Sequence, residues 1–175
     1  SIDEAAQILE AGLKAGLHPK IHVNQFNALG GVDLAIKFNA LSVDHLEITT
    51  DADVNLLSNS NTIATLLPGC SHFLKIPYAN ASQMIRQGVA VALASDYNPG
   101  SCPSGNMNLV VSLACTNLGM LPEEAINAAT VNGAAAMGLG QSHGRIAVGL
   151  KPGIIITKKM ESIAEIPYYF GANKV

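Results

Sequence analysis

The chain has 175 residues, a net charge of −3 and only 13% charged residues, against 49% hydrophobic ones. That is room for one domain with a sizeable core, and its charge content is about half that of an average soluble domain. No basic block interleaved with aromatics exists to engage nucleic acid, and no apolar run is long enough to span a membrane. Cys70, Cys102 and Cys115 are an odd number without metal-ligand spacing. A disulfide framework is therefore not expected, and a reducing, cytoplasmic setting is. The first residues are acidic and helical in pattern, unlike a secretory signal.

Taken in order, Ser1 or Asp3 can cap a helix over Glu4 to Gly16, with Ala5, Ile8, Leu9 and Leu13 at helical spacing. Lys20 to Phe26 reads as a strand with polar groups gathered at its end. Gly30-Gly31 opens a helix over Val32 to Asn39, and Leu41 to Leu46 is a second strand. A helix over Asp51 to Asn59, a third strand over Thr62 to Leu67 and a loop over residues 70–79 follow. Ala81 to Gly88 is helical. Val89 to Ala94 is six apolar residues without alternation, the pattern of a parallel strand covered on both faces. Helices are then expected from Asn106 to Leu118 and from Pro122 to Gly138. Glycine-punctuated β segments are expected at Gly144–Gly149 and Gly153–Thr157, and a last strand at Ile166–Phe170.

The four strands end near His22, His45, Leu67 and Asp96, each separation leaving room for one βα unit. A parallel sheet with right-handed crossovers results, either an open doubly wound sheet or half of an eight-stranded barrel. After Asp96 comes Tyr97-Asn98-Pro99-Gly100-Ser101, a polar loop leading into a helix. Strand, acid, polar loop, helix is the layout of an active site at the C-terminal end of such a sheet, although Asp also serves as a plain turn former. Two imidazoles and a carboxylate at three strand ends suit zinc or iron with a position left for water. A lone strand His is more often structural; equivalent placement at several strand ends argues for a site.

These residues carry a resemblance. The pieces are His22-Val23-Asn24-Gln25-Phe26, Leu29-Gly30-Gly31, Ser42-Val43-Asp44-His45-Leu46-Glu47, Leu66-Leu67-Pro68-Gly69, Asp96 to Ser101, Thr130 to Ala135, His143 to Gly149 and Phe170 to Asn173. Together they resemble the C-terminal part of the imidazolonepropionase family of metal-dependent amidohydrolases. The resemblance implies strands five to eight of a (β/α)8 TIM barrel over 1–142 and part of a small β-sandwich over 143–175. It implies ring-amide hydrolysis of 4-imidazolone-5-propanoate to N-formimidoyl-L-glutamate in histidine degradation, with one zinc or iron ion. His22 and Asp96 match two of four metal ligands. The other two belong to a His-x-His pair of the first barrel strand, and this sequence contains no His-x-His. Asp96 would also move the proton, and His45 would polarise the carbonyl. Gln25, Asn98, Gly100 and Ser101 would contact substrate.

The expected partners are therefore the small-molecule substrate and the N-terminal half of the barrel, with homodimerisation through open sheet edges as a further option. No nucleic acid and no membrane are expected. Other readings of the same residues are a different metal-dependent amidohydrolase or deaminase, or a non-catalytic truncated half-barrel.

Overall fold

The computed structural model describes residues 1–151, 153–170 and 172. The elements run α1 (Ile2–Lys14), β1 (Lys20–Val23), α2 (Gly31–Lys37), β2 (Ser42–His45), α3 (Asp51–Ser58), β3 (Ile63–Leu66), α4 (Pro68–Leu74), α5 (Ala81–Arg86), β4 (Val91–Leu93), α6 (Met107–Asn117), α7 (Pro122–Ala129), α8 (Val131–Ala136) and α9 (Glu165–Tyr168). The four strands form one sheet in the order β1-β2-β3-β4, every pair parallel. The order never reverses, so the sheet is singly wound rather than doubly wound, as in a segment of a barrel wall.

Local chemistry sets the helix starts. Ser1, not Asp3, caps α1, closing a capping box with Glu4. Thr50 and Asp53 do the same for α3, Asn80 accepts from Gln83 to start α5, and Asn106 caps α6. At the end of β1 the chain passes so close to α2 that a Cβ on Gly31 would lie 2.6 Å from Val23 Cγ1, so only glycine fits.

Strand alternation sends one row towards the helices. Val23, Val43, Ala64, Leu66, Val91 and Leu93 join Val32, Ala35, Val54, Leu57, Met84, Val110 and Ala114 in the main core. Fully burying an aliphatic side chain of this size contributes about 1.5–3 kcal/mol. The other row faces the concave side, where His22, Asp44, Thr65 and Ala92 lie in register across the four strands. One layer lower, Lys20 Nζ donates to Ser42 Oγ and, at 3.1 Å, to the Ala136 carbonyl of α8, with Asp44 Oδ1 at 3.8 Å. Ile63, Ala92 and Ala136 close a small apolar cluster there.

Four expectations change. Residues 70–79 are not wholly loop: α4 begins at Pro68, whose ring sits at the first helical turn where its missing N–H costs nothing. The long helix expected from Pro122 divides at Thr130, with φ −120° and ψ −79°, into α7 and α8. Thr130 Oγ1 there donates back to the Ile126 carbonyl, and Asn132 Nδ2 donates to the Val91 carbonyl of β4. Ile166–Phe170 is not a strand; α9 occupies Glu165–Tyr168, and Ser112 Oγ of α6 holds the Pro167 carbonyl at 2.6 Å. The β segments expected at 144–149 and 153–157 are not paired as strands among the described residues. Gly171 and Asn173, which belong to the motif pieces, lie outside the described residues.

Candidate functional site at the strand ends

The concave sheet gathers polar side chains at its C-terminal edge. His22 is the penultimate residue of β1 and His45 the last of β2. By strict alternation His45, paired with Val23, belongs to the helix-side row. Its φ of 90°, followed by 68° at Leu46, breaks that alternation. The two imidazole rings come to 4.1 Å between centroids, tilted by 48°. Asn24 and Asp96 also take left-handed φ, 56° and 52°. Asn, Asp and His tolerate that region better than most residues, so three of these four strand-end positions carry suitable types.

Burial differs between the two histidines: His22 is exposed and His45 is buried. The pKa of His22 is held below its ordinary value, first by loss of solvent around the ring and then by His45, while Asp96, Glu47 and Asp44 pull the other way. The net effect favours neutral imidazole, the form that binds metal. His22, Asn24 and Gln25 line a cleft of about 230 Å³ beside α1 and α2. A wider cleft, about 470 Å³, lies on the same side between Lys20, Thr65, Ala92, Ser95, Thr130 and His143.

The loop after β4 is built around Asn98. Its Nδ2 donates to the Asp96 carbonyl and to Ser101 Oγ, both at 2.7 Å. Its Oδ1 accepts from the Gly100 and Ser101 backbone N–H groups at 2.9 and 2.7 Å. Ser101 Oγ in turn donates to Asp96 Oδ2 at 3.1 Å. Asn98 and Ser101 therefore hold the loop and orient the Asp96 carboxylate, while Gly100 stands exposed at the tip. Gln25 does not reach this loop by a hydrogen bond; its Nε2 donates to Cys70 Sγ at 3.4 Å.

Sequence reasoning assigned no role to Glu47, Cys70 or Ser71. Glu47 Oε1 lies 3.4 Å from His45 Nδ1 and accepts from Ser71 Oγ at 3.0 Å. Its Oε2 is buried without a hydrogen-bond partner. One donor atom each from His45, Glu47 and Cys70 lies within 4.8 Å of the others. Burial pushes the Cys70 thiol up to about 11, so it is neither a ready nucleophile nor a ready thiolate ligand. The available signal was the pairing of an acid two residues after His45 with an otherwise apolar stretch. α4 meets the Asp96 loop closely: a Cβ on Gly69 would lie 2.8 Å from Cys102 Sγ.

The parallel sheet brings two imidazoles and a carboxylate to one edge, and the chain belongs to the amidohydrolase family, whose model matches residues 2–174. Among curated proteins it is similar to the imidazolonepropionase of Flavobacterium johnsoniae, 55% identical over 175 residues, which are all of this chain and 43% of that protein. The imidazolonepropionase of Bacillus cytotoxicus is 43% identical over 176 residues, 41% of its length. The chain thus spans about two fifths of the curated relatives it matches. Solved structures with the same fold include a zinc-bound adenosine deaminase from Xanthomonas campestris, with a TM-score of 0.71 at 16% identity over 86% of this chain and 39% of that one. Another is a 5-methylcytosine deaminase from Klebsiella pneumoniae, with a TM-score of 0.69 at 16% identity over 85% and 44%.

Proposed function

We propose that this chain supplies part of an active site that hydrolyses the ring amide of 4-imidazolone-5-propanoate to N-formimidoyl-L-glutamate, a step of histidine degradation. The observation that carries this reading is the 55% identity to an imidazolonepropionase across the whole chain. In this reading β1 to β4 are strands five to eight of a barrel, 1–142 is a partial barrel domain, and 143–175 contributes to a small β-sandwich. The singly wound strand order and the exposed run Ile154-Ile155-Ile156, suited to pairing with strands from elsewhere, support it. The setting is cytoplasmic, in keeping with three free cysteines.

One zinc or iron ion is the cofactor, and His22 and Asp96 would hold it. When bound, such an ion supplies Lewis acidity to a water molecule and to the ring carbonyl. Protein zinc sites use at least three protein ligands, and the resemblance assigns the remaining donors to a His-x-His pair that this sequence does not contain. Asp96 takes the proton of the attacking water and returns it to the departing ring nitrogen as the new C–O bond forms and the amide C–N bond breaks. His45 stabilises charge growing on the carbonyl oxygen. Gln25, whose amide is not a base, hydrogen-bonds the ring. Asn98, Gly100 and Ser101 contact substrate while fixing the orientation of Asp96.

The test is a chimera in which this chain replaces the matched 175 residues of the Flavobacterium johnsoniae relative. Ring opening of 4-imidazolone-5-propanoate and bound metal are measured for the chimera and for this chain alone. Turnover with bound metal is expected from the chimera, and neither from the chain alone, where the chain persists as an associating, non-catalytic half-barrel. A folded, metal-loaded chimera without turnover on this substrate rejects the activity. A monomeric, metal-loaded and active 175-residue chain rejects the placement of the site.

A further inference from the structure

The buried carboxylate of Glu47 has no part in the chemistry just described, yet it lies in the most enclosed part of the site. The side chains of His45 and Glu47 are 4% and 1% exposed. A carboxylate out of water needs donors, and an isolated buried charge is costly. Glu47 Oε1 has two neighbours that can donate. Ser71 Oγ, at the second turn of α4, gives it a hydroxyl hydrogen at 3.0 Å. His45 Nδ1 stands at 3.4 Å. A carboxylate can only accept, so an unprotonated Nδ1 there would set lone pair against lone pair in a space without water.

We propose that Glu47 is a positioning residue: it holds a proton on His45 Nδ1 and thereby makes Nε2 the working nitrogen of that imidazole. The partner of one ring nitrogen decides what the other can do. With Nδ1–H committed to Glu47, Nε2 is the single position on the ring where a proton can arrive or leave. Ser71 shares the same oxygen and ties the carboxylate to α4, so the ring's orientation is fixed from two elements, β2 and α4. The ring contact with His22, at 4.1 Å, encloses a third side. The donor atoms of His45, Glu47 and Cys70 also converge, within 4.8 Å of one another, as the ligands of a metal site would. Two of the three, His45 and Glu47, are already engaged with each other, and Ser71 occupies the same carboxylate oxygen.

This proposal rests on His45 working on the substrate, and its first test uses no substrate. The 175-residue chain labelled with ¹⁵N-histidine is examined by long-range ¹⁵N–¹H correlation, with a His45→Gln variant to assign the signals. Wild type is expected to show protonated Nδ1 on His45. Glu47→Gln keeps an acceptor oxygen and is expected to keep that proton, whereas Glu47→Leu fills the space without an acceptor and is expected to lose it. An unprotonated Nδ1 in wild type overturns the proposal whatever the variants do. So does a Glu47→Leu spectrum that matches wild type. In the chimera, Glu47→Leu is expected to lower kcat by about 10²-fold, the scale of one misdirected stabilising group, with KM changed less than kcat; Glu47→Gln should recover most of the rate. A KM-only effect overturns it as well. A chimera that fails to open the ring, with the expected tautomer present, rejects the activity and leaves the role of Glu47 standing.

Discussion

The four-stranded sheet and the segment that follows α8 are built from similar residues and have opposite fates. Ile63-Ala64-Thr65-Leu66 is fully buried in β3, between two strands that lie next to it in the chain. Ile154, Ile155 and Ile156 have equal β tendency but stand 57%, 70% and 81% exposed, as do Ile146 and Val148 nearby. β propensity is mostly a measure of fit to a half-buried pleated surface. The sheet residues find that surface within one βα unit. The tail residues have none within reach, so their tendency has nothing to act on.

The largest effect that would break this comparison concerns chemistry confined to the sheet end. Asp96→Asn in the chimera is expected to lower turnover by about 10²–10⁴-fold, the range for a lost proton-transfer group. Asn keeps the shape and tolerates the φ of 52° at this position, so circular dichroism and melting should change little. Near-wild-type turnover in a metal-loaded variant would remove Asp96 from the mechanism. Next, His45→Ala should cost about 10²–10³ in kcat while metal content is retained, and His22→Ala should lose the metal. Equal metal loss in both would make His45 a ligand.

A stability pair sharpens the contrast between the regions directly. Leu66→Ala, at a site with no exposure, is expected to destabilise by about 2–5 kcal/mol in urea unfolding. Ile155→Ser should stay within about 0.5 kcal/mol. If Ile155→Ser were the costlier change, the tail would be packed and the comparison wrong. The smallest effect is a pH dependence of the sheet region. The folded chain holds the Cys70 proton up to about pH 11, whereas an ordinary thiol gives it up near 9. Between those values the unfolded chain binds fewer protons, so stability falls as pH rises. Cys70→Ala should flatten that limb of the stability curve; an unchanged slope would assign it to other groups.

Much of the sheet was legible because its strands are short apolar runs that end in polar residues at βα spacing. Val89 to Ala94 needed no partner to be recognised. His22 and Asp96 could be placed at strand ends by counting alone. His45 could be listed but not aimed, because two successive left-handed residues reverse its face and no local pattern announces them. α4 was hidden behind Pro68-Gly69, which read as a stop when the proline was in fact a helix start. Glu47 was visible as a letter in a motif, but the hydrogen bond it accepts from Ser71 arises only when the end of β2 meets α4. The tail misled for the converse reason: its pattern is β, and among the described residues no strand forms there.

Leu46 gives the strand-end geometry a further consequence. It is the one left-handed strand-end residue that is not Asn, Asp or His, and it is completely buried in the main core. A non-glycine residue in that conformation costs about 1–2 kcal/mol, even without β-branching. The turn is held by the Leu46 N–H on the Val23 carbonyl at 3.2 Å and by Thr49 Oγ1 on the Leu46 carbonyl at 2.6 Å. The aim of the neighbouring imidazole therefore depends on an aliphatic anchor that never meets a ligand. In a saturation screen of this segment, position 46 would divide its substitutions unusually: glycine would relax the backbone and free the ring, and β-branched residues would resist the conformation itself. Variants rescued for folding by mutations elsewhere would still carry a misaimed His45, so recovered stability and recovered turnover would part company at this residue.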